Sequence, residues 1–152
     1  VISMFDGTIQ QLVALAVLMP IVASMGGNAG TQTLTVAVRA LATKELSRTN
    51  MFRIIWKETL VGVLNGAGFA VLMGFIAAMW FSSPMLGAVV GLAFFLNILV
   101  AVSLGGLIPL LLRRFKIDPA LGAPPILTTI TDMCGFMLVL GLATLALATG
   151  LL

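Results

Sequence analysis

Four apolar stretches, each long enough to cross a bilayer, constrain this chain more than any other feature. They cover residues 8–42, 51–80, 85–112 and 124–149. A spanning helix needs about 20 mostly apolar residues. The sequence therefore predicts an all-α fold: a polytopic membrane helix bundle with four spanning helices, forming a single transmembrane domain over residues 1–152. Composition agrees. Charged residues make up 9% of the chain and hydrophobic ones 61%, with a mean hydropathy of +1.20, whereas a soluble domain carries about 25% charged residues. Disulfide scaffolding is excluded because Cys134 is the only cysteine, and its apolar surroundings predict a packed, inert thiol. The opening VISMFD reads as the tail of a hydrophobic segment cut short, with residues missing before it.

The connections orient the bundle. FSSPM, Phe81 to Met85, is a tight turn containing Pro84. The other two connections are basic, and all eight Lys and Arg residues (Arg39, Lys44, Arg48, Arg53, Lys57, Arg113, Arg114, Lys116) lie in them or at the helix ends beside them. Positive charge gathers on the cytoplasmic side. Both basic connections are thus expected inside, with both termini and the FSSPM turn outside, as in a bacterial inner membrane. Topology alone accounts for this charge, so nucleic acid is not an expected partner.

The second stretch carries Gly62, Gly66, Ala70 and Gly74, and the third Gly87 and Gly91. Small residues at this spacing let helices approach closely in lipid. They are read as packing residues, with Asn97 and Ser103 bonding to neighbours or backbone.

The first stretch is too long. As one helix, 35 residues cover about 50 Å, against a core of about 30 Å. It must project beyond the membrane or bend, and Pro20 and Gly26-Gly27 are the expected bending points. Within it lies MGGNAGTQT, Met25 to Thr33, an island of glycines, amides and hydroxyls. Asn28, Thr31, Gln32 and Thr35 share one helical face. Unpaired polar groups in hydrocarbon cost several kcal/mol, so this stripe must face protein or water.

The fourth stretch supplies a partner. Its helix is expected to start at Pro124-Pro125, which puts Asp132 about seven residues in, with Thr128 and Thr129 on the same face. Asp132 is the one acidic residue inside the membrane; Asp6, Glu45, Glu58 and Asp118 fall at ends or loops. A carboxylate at depth marks an ion path by default. Oxygen donors suit Mg²⁺, Ca²⁺ or Mn²⁺, and Mg²⁺ is held by one or two carboxylates with several waters retained. Two copies of Asp132 facing each other across a dimer pore suit a hydrated Mg²⁺. Two other roles are open to Asp132: a protonated packing residue, and a proton-coupling carboxylate in a transporter. An enzyme is not expected. Serine or metalloprotease chemistry needs His, of which there is none, and an intramembrane aspartyl protease needs a second membrane Asp.

PIVASMGGNAGTQTLTVAVRALA (Pro20 to Ala42) and DPALGAPPILTTITDMCG (Asp118 to Gly135) resemble the two signatures of the MgtE family of magnesium channels, and the similarity extends over essentially the whole chain. The resemblance implies a homodimer with five membrane helices per subunit. Its pore would be lined by the second and fifth helices, which match the first and fourth stretches here. It implies a hydrated Mg²⁺ near Asp132, with the backbone near Thr128 facing the same ion. Gly27, Asn28, Thr31 and Thr35 match pore-side or gate-side positions, and Gln32 and Thr129 complete the expected lining. Relatives carry a cytosolic N-terminal domain and paired CBS domains that sense Mg²⁺; neither is present here, nor is the family's first helix. Pro124 and Thr31 stand where some relatives carry amides. The expected activity is a passive channel conducting largely hydrated Mg²⁺, with Mn²⁺, Co²⁺ and Ca²⁺ also compatible. The alternatives are a cation-coupled exchanger using Asp132 and a non-conducting scaffold.

Overall fold

The computed structural model describes residues 1–43 and 48–152, leaving aside the side chains of 48–52, 54 and 55. Lys44 and Glu45, and the side chain of Arg48, thus lie outside the described residues. The described chain is helical, without strands. A 3-10 turn (Ile2–Phe5) leads into α1 (Asp6–Gln11), followed by α2 (Ala14–Ala42), α3 (Arg48–Trp80), α4 (Pro84–Arg114) and α5 (Pro119–Ala148). α2, α4, α5 and the part of α3 from Trp56 are each long and apolar enough to cross a membrane.

Two boundaries differ from expectation. The first apolar stretch is not interrupted at Pro20 or Gly26-Gly27, because α2 runs unbroken through all three. It breaks earlier, at Leu12, whose φ of −128° and ψ of 74° leave the helical region. The short α1 is held against α5 by a 2.8 Å bond between the Thr8 and Thr144 hydroxyls. The glycines stay helical because α4 and α5 pack on them: a Cβ at Gly30 would lie 3.0 Å from the Ala101 carbonyl and 3.2 Å from Leu127. Packing of this kind overrides local propensity. α2 still spans about 44 Å at 1.5 Å per residue, longer than the ~30 Å core, so an end can reach the interface.

α5 begins at Pro119, not at Pro124-Pro125. Asp118 caps it, its Oδ1 accepting from the Ala120 N–H at 2.9 Å, and Pro119 fills the first helical position, where no donor is needed. Pro124 and Pro125 then lie inside the helix. Asp132 consequently sits near the middle of α5, about 20 Å from its start.

α4 is the hub, packed against α2, α3 and α5, while α2 and α3 barely meet. Of α4's most apolar stretch 61% is buried, against 17% for α3, so α3 is peripheral. One core joins Leu15, Val22, Phe94, Ile98 and Leu140. A second, nearer the basic ends, joins Leu34, Ile108, Leu112 and Leu127. The small residues sit at the closest crossings. Gly62 packs on Val102, Gly66 on Ile98, and Gly74 on the Gly87 carbonyl and Gly91. Such contacts supply dispersion where no hydrophobic difference drives association. Ser103 bonds its own helix at the Leu99 carbonyl, 2.8 Å away. The FSSPM turn closes through Ser82 at φ 50°, and the Ser83 Oγ accepts from the Leu86 N–H at 3.3 Å to cap α4. Cys134 is free and half-buried.

Candidate cation site

The polar island of α2 stays helical because its small residues face inward and its polar ones outward. Gly26, Gly27, Gly30, Thr33 and Leu34 are buried, whereas Ser24, Asn28, Thr31, Gln32 and Thr35 are exposed. The inward face allows α4 and α5 to approach within backbone contact, and Gly105 lies against the Gly30 carbonyl. The outward face is the crest of α2, with a cleft on either side.

The first cleft, about 420 Å³, lies between α2 and α5. It is lined by Ser24, Gly27, Asn28, Thr31, Thr128 and Asp132, with Pro20, Ala23 and Phe136. This places Asp132 at the level of the glycine motif, since the neighbouring Thr131 Oγ1 lies 3.8 Å from a Cβ built on Gly27. Both sets of polar residues fall near the midpoints of their helices, Asn28 in Ala14–Ala42 and Asp132 in Pro119–Ala148. Asp132 and Thr128 are exposed in the single chain.

The hydroxyls have their protons committed. Thr31 Oγ1 donates to the Gly27 carbonyl at 2.7 Å, Thr35 Oγ1 to the Thr31 carbonyl at 2.8 Å, and Thr128 Oγ1 to the Pro124 carbonyl at 3.1 Å. Thr129 Oγ1 likewise donates to the Pro125 carbonyl at 2.8 Å. With the proton directed back along the helix, each oxygen keeps lone pairs for water. The lining thus presents acceptors around one carboxylate, and no group of three or more His, Cys, Asp or Glu exists among the described residues to strip an ion of its waters. A six-water shell needs roughly 180 Å³ at about 30 Å³ per water, so the cleft accommodates a hydrated ion. A carboxylate about 5 Å from a divalent charge contributes roughly 7 kcal/mol at an effective dielectric of about 20, before desolvation.

Not all the expected lining residues meet here. Asn28 and Thr31 border both clefts, but Gln32 and Thr35 border the other one, between α2 and α3, together with Glu58 and Asn65. Helical spacing groups 28, 31, 32 and 35 on one face, but that face is a crest with different neighbours on each flank. Thr129 is exposed and borders neither cleft. Ser24, Thr33, Glu58 and Asn65 are polar lining residues that sequence reasoning missed; Glu58, expected at an end or loop, lies inside α3. Ser24 lies four positions before Asn28 and was legible by that spacing; Asn65 stands in a glycine-rich helix, and its polar signal is Glu58, two turns before it.

Three membrane-length helices packed on a fourth, the central α4, with a carboxylate-bearing polar cleft at mid-helix depth, define a multi-pass membrane protein. Comparison with known proteins narrows this class. Residues 19–142 match the family described as MgtE, divalent cation transporter. The chain is 35% identical over 144 residues to the magnesium transporter MgtE of Bacillus subtilis strain 168, covering 95% of this chain and 32% of that protein. It is 36% identical to the magnesium transporter MgtE of Thermus thermophilus, covering 94% of this chain and 32% of that protein, and 34% identical to that of Enterococcus faecalis, covering 95% and 32%. The chain belongs to the MgtE family. It spans about a third of the length of these relatives.

Proposed function

We propose that this chain is the transmembrane domain of a Mg²⁺ channel, in which a largely hydrated ion moves down its gradient between two copies of the α2–α5 face. The observation that carries this reading is the exposed cleft uniting Asp132 with Asn28, Thr31 and Thr128. Polar groups at this depth are costly against lipid and need protein or water beside them. A second copy placed on a two-fold axis gives them both, and brings a second carboxylate to the ion. The basic ends, Arg39 of α2 and Arg113 and Arg114 of α4, face the cytoplasm in this reading. A cytosolic N-terminal domain and CBS pair, as the resemblance implies, supply Mg²⁺-dependent closure. An isolated carboxylate with no His, Lys or second acid lining its cleft favours a passive path over a proton relay.

Mg²⁺ uptake into proteoliposomes loaded with a Mg²⁺-sensitive dye tests the reading. Asp132→Ala is expected to lose flux at least about tenfold, the effect of removing one strong charge contact. Parent-like flux in that variant sinks the assignment. Flux that persists without an H⁺ or Na⁺ gradient identifies a channel; flux that requires one identifies the exchanger.

A further inference from the structure

Glu58 lies outside the cleft around Asp132, yet it does not face lipid. It lines the α2–α3 cleft of about 540 Å³ together with Gln32, Thr35 and Asn65. Glu58 and Asn65 are seven residues apart, two helical turns, and so share one face of α3. Elsewhere α3 exposes Leu64, Val71, Leu72 and Phe75. This peripheral helix thus turns its mid-span amide and its carboxylate toward the polar crest of α2. Among the described residues Glu58 has no ion-pair or hydrogen-bond partner.

The glycine contacts set the depths. Gly62 packs on Val102 and Gly30 on Ala101, so these two glycines are level; Gly66 packs on Ile98 and Gly26 on Asn97, which are level one turn further out. Because α2 and α3 run in opposite directions, Asn65 lies near the level of Asn28, and Glu58 lies beside the turn after Gln32. Asp132 is level with Gly26-Gly27. Glu58 is therefore displaced from Asp132 by about two helical turns, roughly 11 Å, toward the basic ends.

We propose that the α2–α3 cleft is a second binding site for a hydrated divalent cation. Glu58 supplies the charge, and the side-chain carbonyl oxygens of Gln32 and Asn65 accept hydrogen bonds from the ion's water shell. Thr35 adds an acceptor, since its proton is committed to the Thr31 carbonyl. The volume exceeds the roughly 180 Å³ of a six-water shell. Asn28 and Thr31 border both clefts, so the two sites share a polar wall, and an ion held at Glu58 waits beside the path to Asp132. The inference rests on the cation-transport reading and adds to it a station on the flank of α2.

Mn²⁺ binding to the detergent-solubilised protein, read from the loss of the free-Mn²⁺ electron paramagnetic resonance signal, tests this. The parent, Glu58→Gln, Asp132→Asn and the double variant are compared, each eluting as one symmetric species. Two classes of site are expected. Glu58→Gln weakens one class by about tenfold or more and leaves the other; Asp132→Asn does the reverse; the double variant loses both. If Asp132→Asn loses a class while Glu58→Gln overlays the parent, the second site is overturned and the Asp132 reading stands. If only Glu58→Gln loses a class, the cleft site stands and the Asp132 reading falls. Asn65→Asp leaves Glu58 in place and adds a carboxylate to the same cleft. It is expected to tighten Mn²⁺ binding by about tenfold, and an unchanged isotherm overturns the proposal even where Glu58→Gln fails to fold.

Discussion

A Cβ built on Gly26 overlaps the side-chain amide of Asn97, whereas one built on Gly27 meets only the Thr131 Oγ1 at 3.8 Å. Asn97 is fully buried. Its Nδ2 donates to the Val22 carbonyl at 2.9 Å, and its Oδ1 has no partner among the described residues. Gly135 of α5 closes the other side, with a Cβ there 3.0 Å from the same nitrogen. Two glycines thus clear the space for one amide that ties α4 to α2. Gly26→Ala must displace that amide and is expected to destabilise the protein by about 1–3 kcal/mol, the usual cost of overpacking. Gly27→Ala is expected within about 0.5 kcal/mol of the parent. Gly27→Leu is expected to assemble but to block Mg²⁺ flux, because its longer side chain enters the Asp132 cleft. Thermal loss of monodispersity in detergent measures the first two, and dye-loaded proteoliposomes the third. Equal stability losses for the two alanine variants, or ordinary flux through Gly27→Leu, contradict these roles. The sequence marks both glycines as one motif; only the neighbours supplied by α4 and α5 separate a packing glycine from a lining one.

The helices themselves were largely legible, because apolar length fixes how many membrane-length segments a chain contains, and the glycine rows of the second and third stretches sit where α3 and α4 cross. Their ends were less so. Pro124-Pro125 is a strong helix-start signal, yet Asp118-Pro119 offers a capping side chain as well as a proline, and the helix begins there. Two prolines inside α5 then forgo the bonds their N–H groups would make to the preceding turn. Asp118→Ala removes the cap and is expected to cost about 1 kcal/mol. Pro124→Ala restores a backbone donor while loosening the unfolded chain, and is expected to stay within about 1 kcal/mol of the parent. Unfolding of both variants in mixed micelles measures the pair. A neutral Asp118→Ala beside a strongly destabilised Pro124→Ala points to a helix starting at Pro124-Pro125.

At the scale of the whole molecule, the single chain presents two kinds of exposed surface. α3 offers Leu64, Val71, Leu72 and Phe75, which lipid solvates at no cost. The α2–α5 face offers Asn28, Thr31, Thr128 and Asp132, which lipid does not solvate. Periodicity could mark the polar crest but not what lies across from it, since that contact is made by another molecule or by water. Closed symmetry provides the simplest cover: in a two-fold assembly each residue of the face meets its own copy or a near neighbour. The expectation is therefore specific to position. In a Cys134→Ser background, Thr128→Cys is expected to join two chains with a short bifunctional thiosulfonate reagent in native membranes, and Leu72→Cys is not. Mg²⁺ at saturating concentration is expected to slow the Thr128→Cys reaction, because a bound hydrated ion narrows access to the cleft, while leaving Leu72→Cys labelling unchanged. Cross-linking through Leu72→Cys with none through Thr128→Cys would place the two-fold axis on α3. The carboxylate of Asp132 would then face something other than a second copy of itself, and a single-chain exchanger would become the better account of the same cleft.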